Sequence, residues 1–593
     1  MEFKRTFDLL DWSLEKYNKE IAFAGKVDRK WVTYSNNEAK ELAMNFSYGL
    51  LALGLKPGDK VALVSNNRPE WNFIDMGISQ AGMIHVPIYP TISSDEYEYI
   101  LKDAEPRLIF ISDNFLYEKL KPIINKADSI EQTFTLNEVE GVKNWIEVVD
   151  LGKKNTDKFK AELIAIKDNI KPEDLVTLIY TSGTTGFPKG VMLNHSNLVS
   201  NAKATAPVHP NGPESKCLSF LPLCHIYERM LNYHFQYKGV SIYYAENMGT
   251  IVNDLKDIRP ELFSTVPRLL ETVYDRIIGK GKDLKGIKKQ IFFWAVNLGH
   301  KFELHGQNSW FYKLRLKIAD KLIFTKWRDA LGGNVNVIVS GGAALQPRLA
   351  TIFWAAGIKV LEGYGLTETS PVIAVNNLVT DEIVIGTVGP IIEGVEVKIA
   401  EDGEILCKGP NVMIGYYKKP ELTREVIDEE GWFHTGDIGI MVNEKYLKIT
   451  DRKKEIFKLS NGKYVAPQVV ENKFKESFFI QQLMVVGENE KFASALIAPN
   501  FEFLHNWCSI HGVKYRDNKS LVQIPEVIAR YQKEVNEINK ELAFHEQIKR
   551  FRLVCEEWSR ETGELSQVFK LRRQFVYKKY DSILKKIYMV SDN

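Results

Sequence analysis

Between residues 60 and 450, short β-branched runs alternate with longer stretches in which apolar residues return every three or four positions. The runs Lys60 to Val64, Leu108 to Ile111, Leu175 to Tyr180, Val335 to Val339 and Lys359 to Glu362 read as strands, and the stretches between them as helices. Alternation of this kind predicts a mostly parallel, helix-covered α/β sheet. From about Asp381 the texture changes. Glycine- and valine-rich segments at Gly386 to Gly389, Val395 to Ile399 and Gly403 to Lys408 predict short strands joined by tight turns, a small antiparallel sheet or barrel-like subdomain appended to the main body. After Asp451 the pattern becomes a strand and turn followed by charged amphipathic helices around Glu526 to Leu542. The expected division is a large N-terminal domain, residues 1–450, and a smaller α+β C-terminal domain, residues 451–593, meeting near Thr450 to Lys454.

One stretch of the first domain stands apart. Residues 275–332 form an insert rich in Lys, Trp and Phe, including Ile291-Phe292-Phe293-Trp294-Ala295, with apolar positions at helical spacing beside lysines. Two readings fit this pattern: core-facing helices with a solvated cationic face, or a basic amphipathic surface resting on a membrane.

Length and composition narrow the class. At 593 residues the chain exceeds the ~250–300 at which a single core stops growing, so two or more domains are required. With 45% hydrophobic and 26% charged residues and a net charge of +2, it has no bulk nucleic-acid footprint, and no nucleic-acid partner is expected. Five scattered cysteines without a CxxC pair argue against a disulfide framework or structural zinc and suit a reducing cytoplasm. No apolar run approaches the ~18–20 residues that a spanning helix needs, so any membrane contact is expected to be peripheral, at the inner face of a membrane.

The chemistry starts in one loop. Tyr180-Thr181-Ser182-Gly183-Thr184-Thr185-Gly186-Phe187-Pro188-Lys189-Gly190 follows a buried strand and concentrates hydroxyls, glycines and one lysine. Glycines let the backbone approach an anion, and hydroxyls, N–H groups and an ammonium converge on it, which describes a polyphosphate cradle. It is not the Walker form, because Lys189 precedes Gly190 rather than a Ser or Thr.

Three later segments join it: Glu362-Gly363-Tyr364-Gly365-Leu366-Thr367-Glu368-Thr369, Gly431-Trp432-Phe433-His434-Thr435-Gly436-Asp437-Ile438-Gly439, and Asp451-Arg452-Lys453-Lys454-Glu455 leading toward Gly462 to Pro467. In this order and spacing they resemble the core motifs of the adenylate-forming superfamily, over most of the chain from Asn66-Asn67-Arg68-Pro69-Glu70-Trp71 to the last fifty residues. The resemblance implies a large adenylate-forming domain and a mobile C-terminal domain. It implies that Thr181, Ser182, Gly183, Thr184, Thr185 and Lys189 hold the β- and γ-phosphates of ATP. Tyr364 would face adenine, Glu362 its amino group, Thr367 the α-phosphate and Glu368 a Mg²⁺ ion; Asp437 would accept the ribose hydroxyls, with Arg452 beside it. The family's C-terminal lysine, which reaches between substrate carboxylate and α-phosphate, corresponds to Lys570 within Leu565-Ser566-Gln567-Val568-Phe569-Lys570-Leu571-Arg572-Arg573. Here Ser566-Gln567-Val568 stands where members with this type of tail commonly carry Thr-Pro-Thr. Lys454 matches the hinge position.

The substrate class follows from Leu221-Pro222-Leu223-Cys224-His225-Ile226-Tyr227-Glu228-Arg229. Amino-acid-activating relatives place an Asp after the His position to pair with an α-ammonium; this chain has Ile226, leaving His225 to face the acyl group and carboxylate. This segment, Val266 to Glu271 and the long insert before Val339-Ser340-Gly341-Gly342-Ala343 resemble the long-chain fatty acid branch. The implied reaction is ATP-dependent ligation of a long-chain fatty acid to coenzyme A through an acyl-AMP, with release of AMP and pyrophosphate. Two alternatives stay open: a fatty acyl-AMP ligase that passes the acyl group to a carrier protein, and a membrane-associated scaffold. Some long-chain members carry a gating tryptophan four residues after the His, where this chain has Arg229.

Overall fold

The computed structural model describes residues 2–181, 188–566 and 569–588. Among them, the apolar runs build two eight-stranded sheets. In the first, Lys60–Val64, Ile84–Ile88, Leu108–Ile111 and Leu175–Thr181 run parallel, and Lys189–Asn194 turns back antiparallel on the last of them. In the second, Lys216–Ser219, Leu262–Thr265, Val337–Ser340 and Lys359–Gly365 run parallel. These strands read as near-continuous apolar runs because both of their faces are covered. Val61 and Leu63 face one core, whereas Ala62 and Val64 face another on the opposite side of the sheet. The largest core joins the inner faces of both sheets to the helices between them, with Phe46, Trp71 and Phe73 at its centre.

Two expectations shift. The run at Val335 becomes a strand only from Val337, because Asn336 donates sideways to the Glu261 carbonyl before the ladder begins. Gly386 to Gly389 is not a strand. Gly386 and Gly389 take φ of +82° and +85°, and a Cβ on Gly389 would lie 2.3 Å from the Asn376 nitrogen, so these glycines serve a turn and a close backbone approach. The neighbouring segments form strands: Glu396–Ile399, Glu404–Lys408, Phe433–Val442 and Tyr446–Arg452 make a four-stranded antiparallel sheet.

At the start of the insert, the helices Pro267–Asp283, which leads into it, and Gly286–Gly299 pack Tyr274, Phe292, Ala295 and Leu298 onto the outer face of the second sheet. The core-facing reading therefore holds for the Ile291 to Ala295 segment.

Beyond Arg452 the chain makes a three-stranded sheet from Ile480–Val486, Ser494–Pro499 and Arg550–Leu553, with its own cores on both faces. Pro467–Phe474, Phe501–His511 and Pro525–Asn539 cover one face; Arg573–Lys579 and Asp581–Tyr588 cover the other. This unit touches the first at a small aromatic seam. Phe478 stacks on Tyr274 at 6.4 Å, and the Lys282 ammonium lies 3.5 Å from the Phe503 ring.

Candidate active site

The hydroxyl-rich loop joins two antiparallel strands, with Thr181 opposite Lys189 in the register. A hairpin rather than a strand-to-helix turn carries it, so no helix N-terminus follows to share in anion binding. Ser182, Gly183, Thr184 and Thr185 lie outside the described residues. Lys189 sits with its ammonium 4.4 Å from the Tyr416 ring, and Tyr416 donates to Glu368 Oε1 at 2.8 Å. Burial lowers the pKa of Lys189, opposed by the nearby Glu368 carboxylate.

Tyr364 lies at the end of the Lys359–Gly365 strand, and its hydroxyl donates to Asp437 Oδ2 at 2.8 Å. Asp437 and Arg452 face each other across a strand pair, with Arg452 Nε 3.2 Å from Asp437 Oδ1. Two sequence motifs separated by over seventy residues thus meet at one carboxylate. The turn before Asp437 is held from beneath: the buried Glu404 accepts from the Gly436 N–H at 2.9 Å and from Lys453 at 2.7 Å. Thr367 opens a short 3₁₀ turn directly after the Tyr364 strand and is buried, and Glu368 follows it. Glu362 is buried one pleat back. Burial raises its pKa to about 8, against the pull of the nearby Gly386 and Leu345 backbone, so the protonated form is favoured at neutral pH.

His225 caps the helix Ile226–Lys238, its Nδ1 accepting from the Tyr227 N–H at 3.2 Å. Burial and the neighbouring Lys570 ammonium push its pKa down to about 4, so the ring is neutral, with its proton on Nε2. Asn67 pins the approach to this cap: its amide donates to the Leu221 carbonyl at 2.6 Å and its oxygen accepts from the Leu223 N–H at 3.0 Å.

Lys570 comes from the far unit. The residue is half-buried, and its ammonium is near enough to Arg452, Asp437, Glu455, Glu368 and His225 for charge to act between them. Burial, reinforced by the Arg452 guanidinium, lowers its pKa to about 8. Ser566 and Lys570 clasp each other: the Ser566 N–H donates to the Lys570 carbonyl at 2.7 Å, and the Lys570 N–H to Ser566 Oγ at 3.0 Å. Phe569 takes φ +60°, a costly conformation for an aromatic residue, while its ring packs against cores of both units. Arg573 ties the segment down, binding Glu455 at 2.9 Å and Glu471 at 2.6 Å.

Tyr416, Arg573, Glu455, Glu404 and Asn67 were not identified as site residues from sequence. Each acts on a partner distant in the chain. Arg573, three residues after Lys570, Glu455, at the end of the Asp451 motif, and Asn67, in the Asn66 to Trp71 segment, lie beside named motif residues; Tyr416 and Glu404 have no such local signal.

Arg229 is no gate. It is fully buried, with its guanidinium 2.5 Å from Asp75 and within hydrogen-bond reach of Tyr233 and Thr177, over the Trp71 ring at 5.4 Å. Asp75 also accepts from Tyr233 and contacts His85 Nδ1 at 2.6 Å. Burial disfavours the Asp75 charge, but Arg229 and the other donors outweigh it and hold its pKa near about 2. The pair is a structural charge inside the core.

The AMP-binding enzyme family profile matches residues 10–417, and the AMP-binding enzyme C-terminal domain profile matches residues 454–592. The chain is 34% identical to the peroxisomal long chain acyl-CoA synthetase 6 of Arabidopsis thaliana, over 92% of this chain and 80% of that protein. It is 31% identical to a long-chain-fatty-acid–CoA ligase of Mycobacterium bovis, over 96% of this chain and 94% of that protein. The adenylation domain of a Mycobacterium chelonae carboxylate reductase shares its fold, with a TM-score of 0.74 at 22% identity, over 99% of this chain and 91% of that one. A profile spanning most of the first domain and relatives spanning nearly the whole length lead to one conclusion: the chain belongs to the AMP-binding, adenylate-forming enzyme family.

Proposed function

We propose that this protein is an ATP-dependent long-chain fatty acid–CoA ligase. The carboxylate attacks the α-phosphorus of ATP, forming acyl-AMP and expelling pyrophosphate; the CoA thiol then attacks the acyl carbon and expels AMP. The observation that carries this reading is the Lys570 ammonium sharing one cleft with Asp437, Glu368 and a neutral His225. That is the position where a carboxylate and an α-phosphate meet, and where a fixed positive charge lowers the cost of their approach. With Ile226 beside it, His225 has no acid to pair with an α-ammonium, which favours a plain carboxylic acid.

In this mechanism the Thr181 to Lys189 loop holds the leaving phosphates, Thr367 donates to the α-phosphate, Tyr364 and Glu362 flank adenine, and Asp437 with Arg452 holds the ribose. The chain beyond Lys454, which sits in the turn after the Tyr446–Arg452 strand, moves as a unit about that residue to exchange the Lys570 face for a CoA-side face between the two steps. Glu368 suits Mg²⁺. No group of three or more His, Cys, Asp or Glu placed to hold a metal ion by itself occurs among the described residues, and Mg²⁺ is commonly held by one or two carboxylates plus phosphate oxygens and water. When bound, it would neutralise charge on the phosphates. Glu368→Gln is expected to slow pyrophosphate exchange by about 2–4 kcal/mol, the scale of losing one preorganised electrostatic group; unchanged exchange would remove Glu368 from this role.

No helix among the described residues is long and apolar enough to cross a membrane, and we read the chain as a cytoplasmic enzyme that meets membranes peripherally. A panel of acids from short to very long, assayed for AMP release with and without CoA, tests the function. AMP and acyl-CoA released together, with preference for long acids, is the expected result. Accumulated acyl-AMP with no thioester formed from free CoA would instead mark a fatty acyl-AMP ligase.

A further inference from the structure

The helix Trp310–Ala319 and the turn Asp320–Phe324 after it have two apolar faces, and the second sheet's outer core covers only one of them. Inward, Ala319, Phe324 and Trp327 are buried, Leu316 and Ile323 pack beside them, and the Tyr312 hydroxyl donates to the Leu298 carbonyl at 2.8 Å. Outward, Phe311, Leu314, Ile318 and Leu322 recur at three- and four-residue steps and so line the opposite side of the same helix. They are 53%, 50%, 48% and 43% exposed, and Trp310 at the helix start is 76% exposed. Ordinary surface hydrophobes are scattered; this set is contiguous along one stripe.

Charge flanks the stripe. Lys313, Lys317 and Lys321 are exposed along one edge. On the other edge, Arg315 lies 5.7 Å from the Trp294 ring and 5.8 Å from that of Phe311. Residues 284–326 carry nine Lys and Arg against two acidic residues, Glu303 and Asp320, and Asp320 is paired with Arg328 at 2.6 Å.

We propose that this face docks on the surface of a lipid bilayer bearing anionic headgroups. An apolar stripe ending in an exposed Trp and edged by lysines matches an interfacial helix, which buries its apolar face at the headgroup boundary while cations meet anionic lipid. A second copy of the chain fits worse: two-fold pairing brings a surface patch against itself and would set these lysines against one another. The inference rests on the peripheral-membrane reading above and names the surface that performs it.

The test is co-sedimentation of the full chain with phosphatidylcholine vesicles, with and without phosphatidylglycerol. Salt-sensitive binding to the anionic vesicles is expected. Trp310→Ser, Phe311→Ser and Leu314→Ser combined should lower that binding at least tenfold, and Lys313→Glu, Lys317→Glu and Lys321→Glu combined should abolish the preference for anionic lipid. Pyrophosphate exchange with a short, soluble acid should be unchanged in both variants, which shows that each is folded. Binding by the wild type that survives both sets of changes overturns the assignment to this face and leaves a peripheral contact elsewhere. No binding to either vesicle overturns the peripheral reading as well. A wild-type dimer in sedimentation velocity that the serine variant converts to monomer assigns the face to a second copy, and overturns the proposal.

Discussion

Lys570→Ala is expected to slow acyl-AMP formation by about 10²–10³-fold, roughly 3–4 kcal/mol, while sparing thioester formation from supplied acyl-AMP. The ammonium is needed only where carboxylate and α-phosphate approach; once the adenylate exists, that pair of anions is gone. Pyrophosphate exchange and CoA-dependent consumption of acyl-AMP, measured on the same preparation, separate the two steps. Equal loss of both would remove Lys570 from this role. A pH signature follows from the same residue. Its pKa is lowered to about 8 by burial and Arg452, so the charged fraction of the free enzyme falls as pH rises through that value, and kcat/KM for adenylation should fall on the alkaline side. His225, pushed to about 4, stays neutral across that range and adds no limb there. Lys570→Arg, which keeps its charge, should flatten the alkaline limb even where it costs rate. An unchanged limb would assign it to another group.

Arg229→Met is expected to destabilise the N-terminal domain by about 3–5 kcal/mol, because it strands the Asp75 carboxylate in the core without its cation. Urea unfolding followed by tryptophan fluorescence measures this. Adding Asp75→Asn to that variant should recover part of the loss, since the uncompensated charge disappears with it. A gating residue would behave otherwise, leaving the unfolding midpoint in place and shifting chain-length preference. A midpoint unmoved by Arg229→Met would refute the structural assignment.

The outcome at Arg229 marks where local reading ends. The residue stands one helical turn from His225, where some long-chain members carry a gating tryptophan, and its partner is Asp75, 154 residues earlier. Nothing in the spacing around residue 229 contains that partner. The same holds for Tyr416 against Glu368 and for Arg573 against Glu455 and Glu471. The strands were easier. A parallel strand covered on both faces has to be apolar along its length, so Lys60–Val64 and Leu108–Ile111 are strands with the bounds that their composition predicts. Gly386 to Gly389 failed for the opposite reason: glycine marks a turn, a close approach or a strand alike, and only the position of Asn376 decides which.

By itself, then, the sequence determined the α/β class, the antiparallel appendage, and the order of motifs whose hydroxyls, glycines and charges suit a nucleotide. These are local properties, written in periodicity and in side-chain type within a few residues. The tertiary structure alone decided which motifs face one another: Tyr364 and Arg452 on Asp437, Lys570 carried across the seam toward His225, and one side of the Trp310–Ala319 helix left uncovered. Burial, the field of distant charges and the exposure of a face depend on residues hundreds of positions apart, and those contacts exist only once the chain has folded.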